Sequence, residues 1–337
     1  MTSPRTIERP PADEIKAVTE LARDIFDTLA GRAEGELLSA LGSAGLLSIG
    51  VEEESGVSGG HVYLAGLVAQ EAGAHLASLA VLHQMVGILA LSSAGSSPAD
   101  VAPFSDGRAS LAVAFTTNTD RASTPVAGHP DTLLIGTPRG LYRTDDVPEG
   151  DGSDSWCSPD WIETPIDLHA IQLHRIGELP RARMDLASGL TAAYILGAAD
   201  RVLHRCVEYA GQRHQFGAPI GSFQAVKHSL ADAWIRLHHA RSLTLDAFLD
   251  PEDPVALSIA VLAAGSAAHD CAERCLQAMG GIGFTWESDV HRFLKTITRC
   301  RNWPINDLDR RQTLIDAELG DAHFSGVDNS RQTIAGT

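Results

Sequence analysis

Gly211-Gln-Arg-His-Gln-Phe-Gly-Ala-Pro-Ile-Gly-Ser-Phe-Gln224 separates two long helical patterns. Upstream, from about residue 183 to 213, Leu190, Ala193, Ile195, Ala198, Val202 and Val207 recur at helical spacing. Downstream, after Pro219, Phe223, Val226, Leu230, Ala233 and Leu237 do the same. Apolar residues at three- and four-residue steps define the buried face of an amphipathic helix, and Gly and Pro between two such runs read as their connection. A third run covers residues 255–279, Gly280-Gly-Ile-Gly283 breaks it, and a last one covers 289–301. Four such helices with short connections predict an antiparallel bundle.

Working back toward the N-terminus, residues 13–30 carry Ile15, Val18, Ala22, Ile25 and Leu29 on one helical face. A second helix holds Leu37, Leu38, Leu41 and Leu46-Leu47, a Glu/Gly-rich loop follows from Val51 to Gly60, and two further apolar helices run over 62–71 and 76–91. Their many Gly and Ala residues predict close helix contacts. Between this unit and the bundle the period changes. Leu111-Ala-Val-Ala-Phe115, Thr132-Leu-Leu-Ile135, Leu141-Tyr142 and Ile171-Gln-Leu173 read as short strands among Gly/Pro/Asp/Ser clusters. The expected organisation is a helical domain over residues 1–106, a small β domain over 107–181 and a helical bundle over 182–337, a mainly α chain overall, with a frayed polar tail from about residue 325.

A net charge of −17 without any Lys/Arg-rich run excludes a polyanion surface, so nucleic acid is not an expected partner. The five cysteines, Cys157, Cys206, Cys271, Cys275 and Cys300, form neither an even disulfide framework nor a zinc pattern. Reduced thiols in the cytoplasm are the expectation, with Cys271 and Cys275 on one buried helix face. The first residues lack the apolar core of a secretion signal. The most membrane-like stretch, residues 77–95, is broken by His83, Gln84 and small residues and reads as a core helix rather than a span.

Arg213, Phe216-Gly217, Ile220 and Gln224 resemble the Arg-x-x-Phe-Gly-x-x-Ile-x-x-x-Gln turn of the acyl-CoA dehydrogenases. Gln277, Gly280-Gly281, Gly283-Phe284 and Glu287 are similar to that family's Gln-x-x-Gly-Gly-x-Gly-Phe/Tyr-x-x-Glu signature. The resemblance spans about residues 10–310 and implies an acyl-CoA dehydrogenase-like fold in which both turns touch the FAD of a neighbouring subunit. It makes Arg213, Phe216, Gln224, Gln277, Gly280 and Gly281 the candidate cofactor-binding residues. The chemistry agrees, because a guanidinium fork suits a pyrophosphate, an aromatic ring and an amide can hold an adenosine, and glycine lets backbone approach a ligand. The alternative stays open at this stage: a Gly/Pro-punctuated helix connection whose arginine caps carbonyls.

Other family features are missing. Val51-Glu52 stands where the resemblance implies Pro-Glu, and Thr116-Thr-Asn-Thr-Asp-Arg-Ala-Ser123 replaces the Thr-Glu-Pro-x-x-Gly-Ser-Asp loop. The Lys-x-x-Ile-Thr/Ser-Asn strand is absent. The family's catalytic base is a Glu at one of two places, which correspond here to Pro304 and Ala187, with Ser188 replacing a common Arg. A general base contributes roughly 10²–10⁴ in rate, so its loss at both places is not a matter of tuning. Asp185, Asp307, Asp309 and Glu287 remain as substitutes, each with a plainer reading: Asp185 as a helix cap, Glu287 as a helix start, Asp307 and Asp309 as solvated acids beside Arg310-Arg311. The resemblance therefore implies a subunit without a catalytic residue of its own, like the short chain of actinobacterial α2β2 acyl-CoA dehydrogenases. Its expected partner is a catalytic acyl-CoA dehydrogenase subunit holding the acyl-CoA substrate. Two other expectations stand beside it: a self-contained flavoenzyme (a dehydrogenase with a relocated base or a same-fold monooxygenase), and a non-enzymatic scaffold.

Overall fold

The computed structural model describes residues 8–29, 31–51, 61–116, 121–126, 130–147, 162–285, 288–303 and 307–319. Five helices come first: α1 (Ala12–Leu29), α2 (Glu34–Ser43), α3 (Val62–Ala74), α4 (Ala80–Ser93) and α5 (Pro98–Ser105). Short strands follow: β1 (Leu111–Phe115), β2 (Arg121–Val126), β3 (Thr132–Thr137), β4 (Gly140–Thr144), β5 (Ile162–Asp167) and β6 (His174–Gly177). The chain then returns to helix: α6 (Arg181–Gln212), α7 (Gln224–Ala247), α8 (Pro254–Met279), α9 (Val290–Cys300) and α10 (Asp307–Leu319), with the small hairpin β7 (His214–Gln215) and β8 (Ala218–Pro219) between α6 and α7. The expected mainly α architecture, with a small sheet and a helical bundle, is present.

The sheet runs in the order β1-β3-β4-β6, with β1 and β3 parallel and the other pairs antiparallel. β2 and β5 pair separately as an antiparallel ribbon. Side chains on β1 alternate between two apolar clusters: Leu111 and Val113 join the helical core, while Ala112 and Ala114 pack with Leu133, Ile135 and Ile166. Burial on both faces explains the unbroken apolar run of β1. The outer edge of β1 is covered by α4, where Gln84 Oε1 accepts from the Leu111 N–H at 3.0 Å and His83 Nδ1 from the Val113 N–H at 3.0 Å. Side chains thus satisfy an edge that strand pairing leaves open. The polar residues that interrupt the 77–95 run have this purpose.

Glycine permits the contact between the N-terminal helices and the bundle. A Cβ at Gly73 would lie 1.9 Å from the Tyr194 carbonyl oxygen, and one at Gly197 would lie 1.9 Å from that of Gln70. The α3 and α6 backbones therefore approach closer than any side chain allows. α8 lies against α6, α7, α9 and α10. Asp253 caps it, accepting from the Val255 and Ala256 N–H groups at 2.9 and 3.1 Å, with Pro254 in the first turn. It is also the one described helix long and apolar enough to cross a membrane, yet Leu257, Ala260, Val261, Ala264 and Ala268 are buried against its neighbours. Cys206, Cys271, Cys275 and Cys300 are free and buried, and Cys157 lies outside the described residues.

Three local expectations need correction. The strand read at Ile171–Leu173 begins instead at His174, because Tyr142 and Arg143 on β4 pair with Arg175 and His174. The strands β2 and β5 and the helix α5 carry too few periodic apolar residues to be read. Among the described residues the last helix is not α9 but α10, whose sequence is rich in charge and whose packing on α8 was invisible to periodicity. The loop over residues 52–60, the 117–120 part of the altered β-domain loop and the tail from residue 325 lie outside the described residues.

Candidate functional site

Two turns meet on one groove of the bundle. α6 ends at Gln212, and Arg213 adopts an extended conformation while its N–H still donates to the Tyr209 carbonyl at 2.8 Å. The chain reverses through β7 and β8, which leave Phe216-Gly217 as a two-residue loop. Both have positive φ, +52° and +81°, the pattern of a type I′ turn. Glycine takes that conformation freely, but an aromatic residue does so at a cost of about 1–2 kcal/mol. The Ile220 N–H donates to the Arg213 carbonyl at 2.7 Å and closes the hairpin before a 3₁₀ turn over Ile220–Ser222 leads into α7. Gln224 is the first residue of α7 and is exposed.

Phe216 is 95% exposed, and its one ring neighbour is Phe223 at 6.3 Å, edge-on. A strained, solvent-facing aromatic has no use inside this chain. Arg213 is exposed as well, and its guanidinium has no carboxylate partner among the described residues. These groups face outward and lack internal tasks, which is the fit expected of a surface that receives a ligand.

On the other side of the groove α8 closes at Gly280, where φ +63° and ψ −142° are open only to glycine. The Gly280 N–H donates back to the Gln277 carbonyl. Gly283 is packed closely, since a Cβ there would lie 2.9 Å from Leu276 Cδ1 and 3.2 Å from the Leu276 carbonyl oxygen. Gly281 has neither constraint: a Cβ would meet nothing within 4 Å. Phe216 and Gln277 line the same groove of about 700 Å³, together with Phe223 and Arg274. Arg213, Gln224, Gly280 and Gly281 belong to the turns flanking it and are not among its lining residues.

Arg274 is the residue that sequence reasoning missed. It donates from Nε to Asp270 at 2.8 Å and from Nη1 to Ser229 at 3.4 Å, and the hydrogen bond to Asp270 raises its pKa. Its position three residues before Gln277, on the same helix face, was the available signal.

The candidate base positions are arranged in the opposite way. Ala187 is buried on α6. Asp185 is only 3% exposed; Arg181 Nε donates to it at 3.4 Å and Arg310 Nη1 lies 3.8 Å away. It does not cap α6, because Pro180 holds the cap position. Burial pushes its carboxyl above the usual range, against the pull of the two arginines. Arg310 is not solvated either. It is fully buried, and burial lowers its pKa to about 10. Asp307 is bound by Arg301 at 3.1 Å. Asp309 is exposed in the first turn of α10. Pro304 and Glu287 lie outside the described residues. Among the described residues no group of His, Cys, Asp and Glu could hold a metal ion.

Residues 179–303 match the acyl-CoA dehydrogenase C-terminal domain. The acyl-CoA dehydrogenase IpdE2 of Mycobacterium tuberculosis is 46% identical over 111 residues, 33% of this chain and 35% of that protein. The acyl-CoA dehydrogenase FadE34 of the same organism is 30% identical over 310 residues, 83% of this chain and 42% of that protein. The matched stretch thus spans well under half the length of these relatives. Among solved structures, a variant of the "Tcur3481-Tcur3483 steroid ACAD" superposes with a TM-score of 0.76 at 25% identity, covering 91% of this chain and 98% of that one. The ChsE4-ChsE5 complex of Mycobacterium tuberculosis shares the fold, with a TM-score of 0.72 at 22% identity over 92% and 98% of the two chains. With the two turn motifs, the sheet and the bundle in place, residues 179–303 form the C-terminal domain of the acyl-CoA dehydrogenases and the chain as a whole has the acyl-CoA dehydrogenase-like fold, a fold whose cofactor is FAD.

Proposed function

We propose that this chain is the non-catalytic subunit of a cytoplasmic α2β2 acyl-CoA dehydrogenase that desaturates a CoA thioester, with a steroid-derived acyl group as the candidate substrate. Bound FAD would supply the acceptor for the substrate's hydride. This chain's part is to hold the adenosine diphosphate end of a flavin carried by the partner. Arg213 would fork onto the pyrophosphate, and Phe216, Gln224 and Gln277 would hold the adenosine. Gly281, and Gly280 beside it, would let the backbone approach. The reactive ring and the base belong to the partner.

The observation that carries this reading is the contrast in availability. The groups on the two turns face outward without internal tasks, whereas Asp185, Ala187 and Asp307 are buried or bound. The relatives agree with it: one solved structure of comparable shape is a two-chain complex, and another is a steroid ACAD.

The test is purification of the chain alone and with a longer homologue that retains a catalytic Glu. Flavin and acyl-CoA-dependent dye reduction are expected only in the mixture, and Arg213→Ala should lower the mixture's flavin content. A yellow, active protein from this chain alone would instead establish the self-contained flavoenzyme. Unchanged flavin content in Arg213→Ala would leave a scaffold.

A further inference from the structure

Trp303 joins three regions of the chain. Its ring centroid lies 4.9 Å from that of His83 on α4 and 6.3 Å from that of Phe115 at the end of β1. Each of these neighbours is fixed from behind. His83 is buried and accepts the Val113 N–H through Nδ1, so its ring cannot turn away without leaving a strand N–H unpaired. Phe115 sits over Gly136 on β3, where a Cβ would lie 2.6 Å from its ring, so only glycine leaves the ring its place. Trp303 itself is anchored by its backbone N–H, which donates to the Cys300 carbonyl at 3.0 Å, directly after α9 turns its Phe293, Ile297 and Cys300 into the core.

The indole N–H of Trp303 is buried and has no hydrogen-bond partner among the described residues. Leaving such a donor unpaired costs roughly 1–3 kcal/mol, so the ring is held there for its shape and volume and not for a polar contact. It fills the seam where the sheet, α4 and the bundle meet, immediately before the vacated position at residue 304.

We infer that Trp303 is a built-in plug, a ring of the chain's own that occupies the seam between β1, α4 and the bundle and closes it to a planar heteroaromatic ligand. Its meaning rests on the proposed function, in which this chain holds no reactive ring itself; the packing does not.

The experiment is Trp303→Gly in the full chain, titrated with indole as the probe and followed by thermal melting and calorimetry. The variant is expected to melt below the wild type, to bind indole and to recover part of the lost melting temperature, while the wild type does not respond. A folded variant that ignores indole, or a wild type that responds equally, overturns the inference. Should Trp303→Gly fail to fold, Trp303→Phe decides. It removes the orphan N–H but keeps only a smaller ring, so if volume is what matters it melts below the wild type and regains part of that loss when benzene is added, and a melting temperature at or above the wild type refutes that. Flavin content of the mixture with the partner is read separately, so failure of the subunit reading and failure of the plug give different results.

Discussion

Arg213 and Arg310 stand at opposite ends of α6, about 40 Å apart by helical rise, and the protein treats them in opposite ways. Arg213 faces solvent on a strained turn with no carboxylate partner among the described residues. Arg310 is wholly buried against Asp185, with Arg181 completing the cluster. A charge in water costs the fold nothing and remains available to a ligand. A charge in the interior must be balanced, and once balanced it is no longer free for chemistry. The comparison teaches that residues near a vacated catalytic position are poor candidates for a relocated function when other side chains already hold them.

The largest expected effect tests the buried side. Arg310→Ala removes one partner and leaves Asp185 with only the half-exposed Arg181, a loss of about 3 kcal/mol in unfolding free energy by denaturant titration. Replacing both partners, Arg310→Met with Asp185→Leu, is expected to be near neutral. Equal losses in the single and double variants would break the claim that the pair balances itself.

Acid titration sharpens the same point. The folded-state pKa of Asp185 is raised by burial, so the folded chain holds this proton to a higher pH than the unfolded chain does. The contribution is therefore fully present below the ordinary carboxylate value and is lost as pH rises through the raised one. As pH rises above the ordinary carboxylate value of about 4, wild-type stability should decline relative to that of Asp185→Asn. A constant difference between the two across that range would mean that the arginines outweigh burial.

On the outward side, two neighbouring glycines divide the roles. Gly280→Ala forces a side chain into a glycine-only conformation and should cost about 1–3 kcal/mol. Gly281→Ala meets open space and should leave stability within about 0.5 kcal/mol, while lowering the flavin content of the two-subunit mixture. If Gly281→Ala binds flavin normally, that glycine has no ligand-facing purpose and the receiving surface shrinks to the groove itself.

Much of this was legible in the sequence for a physical reason. Long amphipathic helices such as α6 and α8 repeat their apolar spacing over many turns, and β1 is apolar on both faces because both are buried. The turns around Arg213 and Gly280 could be read because Gly and Pro mark backbone reversals. What stayed hidden depended on partners distant in sequence. β2 and β5 stabilise each other as a ribbon with little apolar patterning of their own. α10 is charged along most of its length, and its one decisive residue, Arg310, looks like a solvated arginine until Asp185 is placed opposite it. Arg274 went unread because a lone arginine in a helix carries no signal until the groove beside it is known.

A small expected gain in stability is the most telling about the turn. Phe216 has a left-handed backbone that Asn adopts more easily than an aromatic residue, so Phe216→Asn should stabilise the free chain by roughly 0.5–1 kcal/mol. The same change removes an exposed ring from the groove it shares with Gln277 and should lower flavin retention in the mixture with the partner. A gain in stability coupled to a loss of binding is the signature of strain kept for a ligand. The opposite sign, a less stable free chain, would mean that the edge-on contact with Phe223 already accounts for the ring, and that the strained turn serves this chain's own fold.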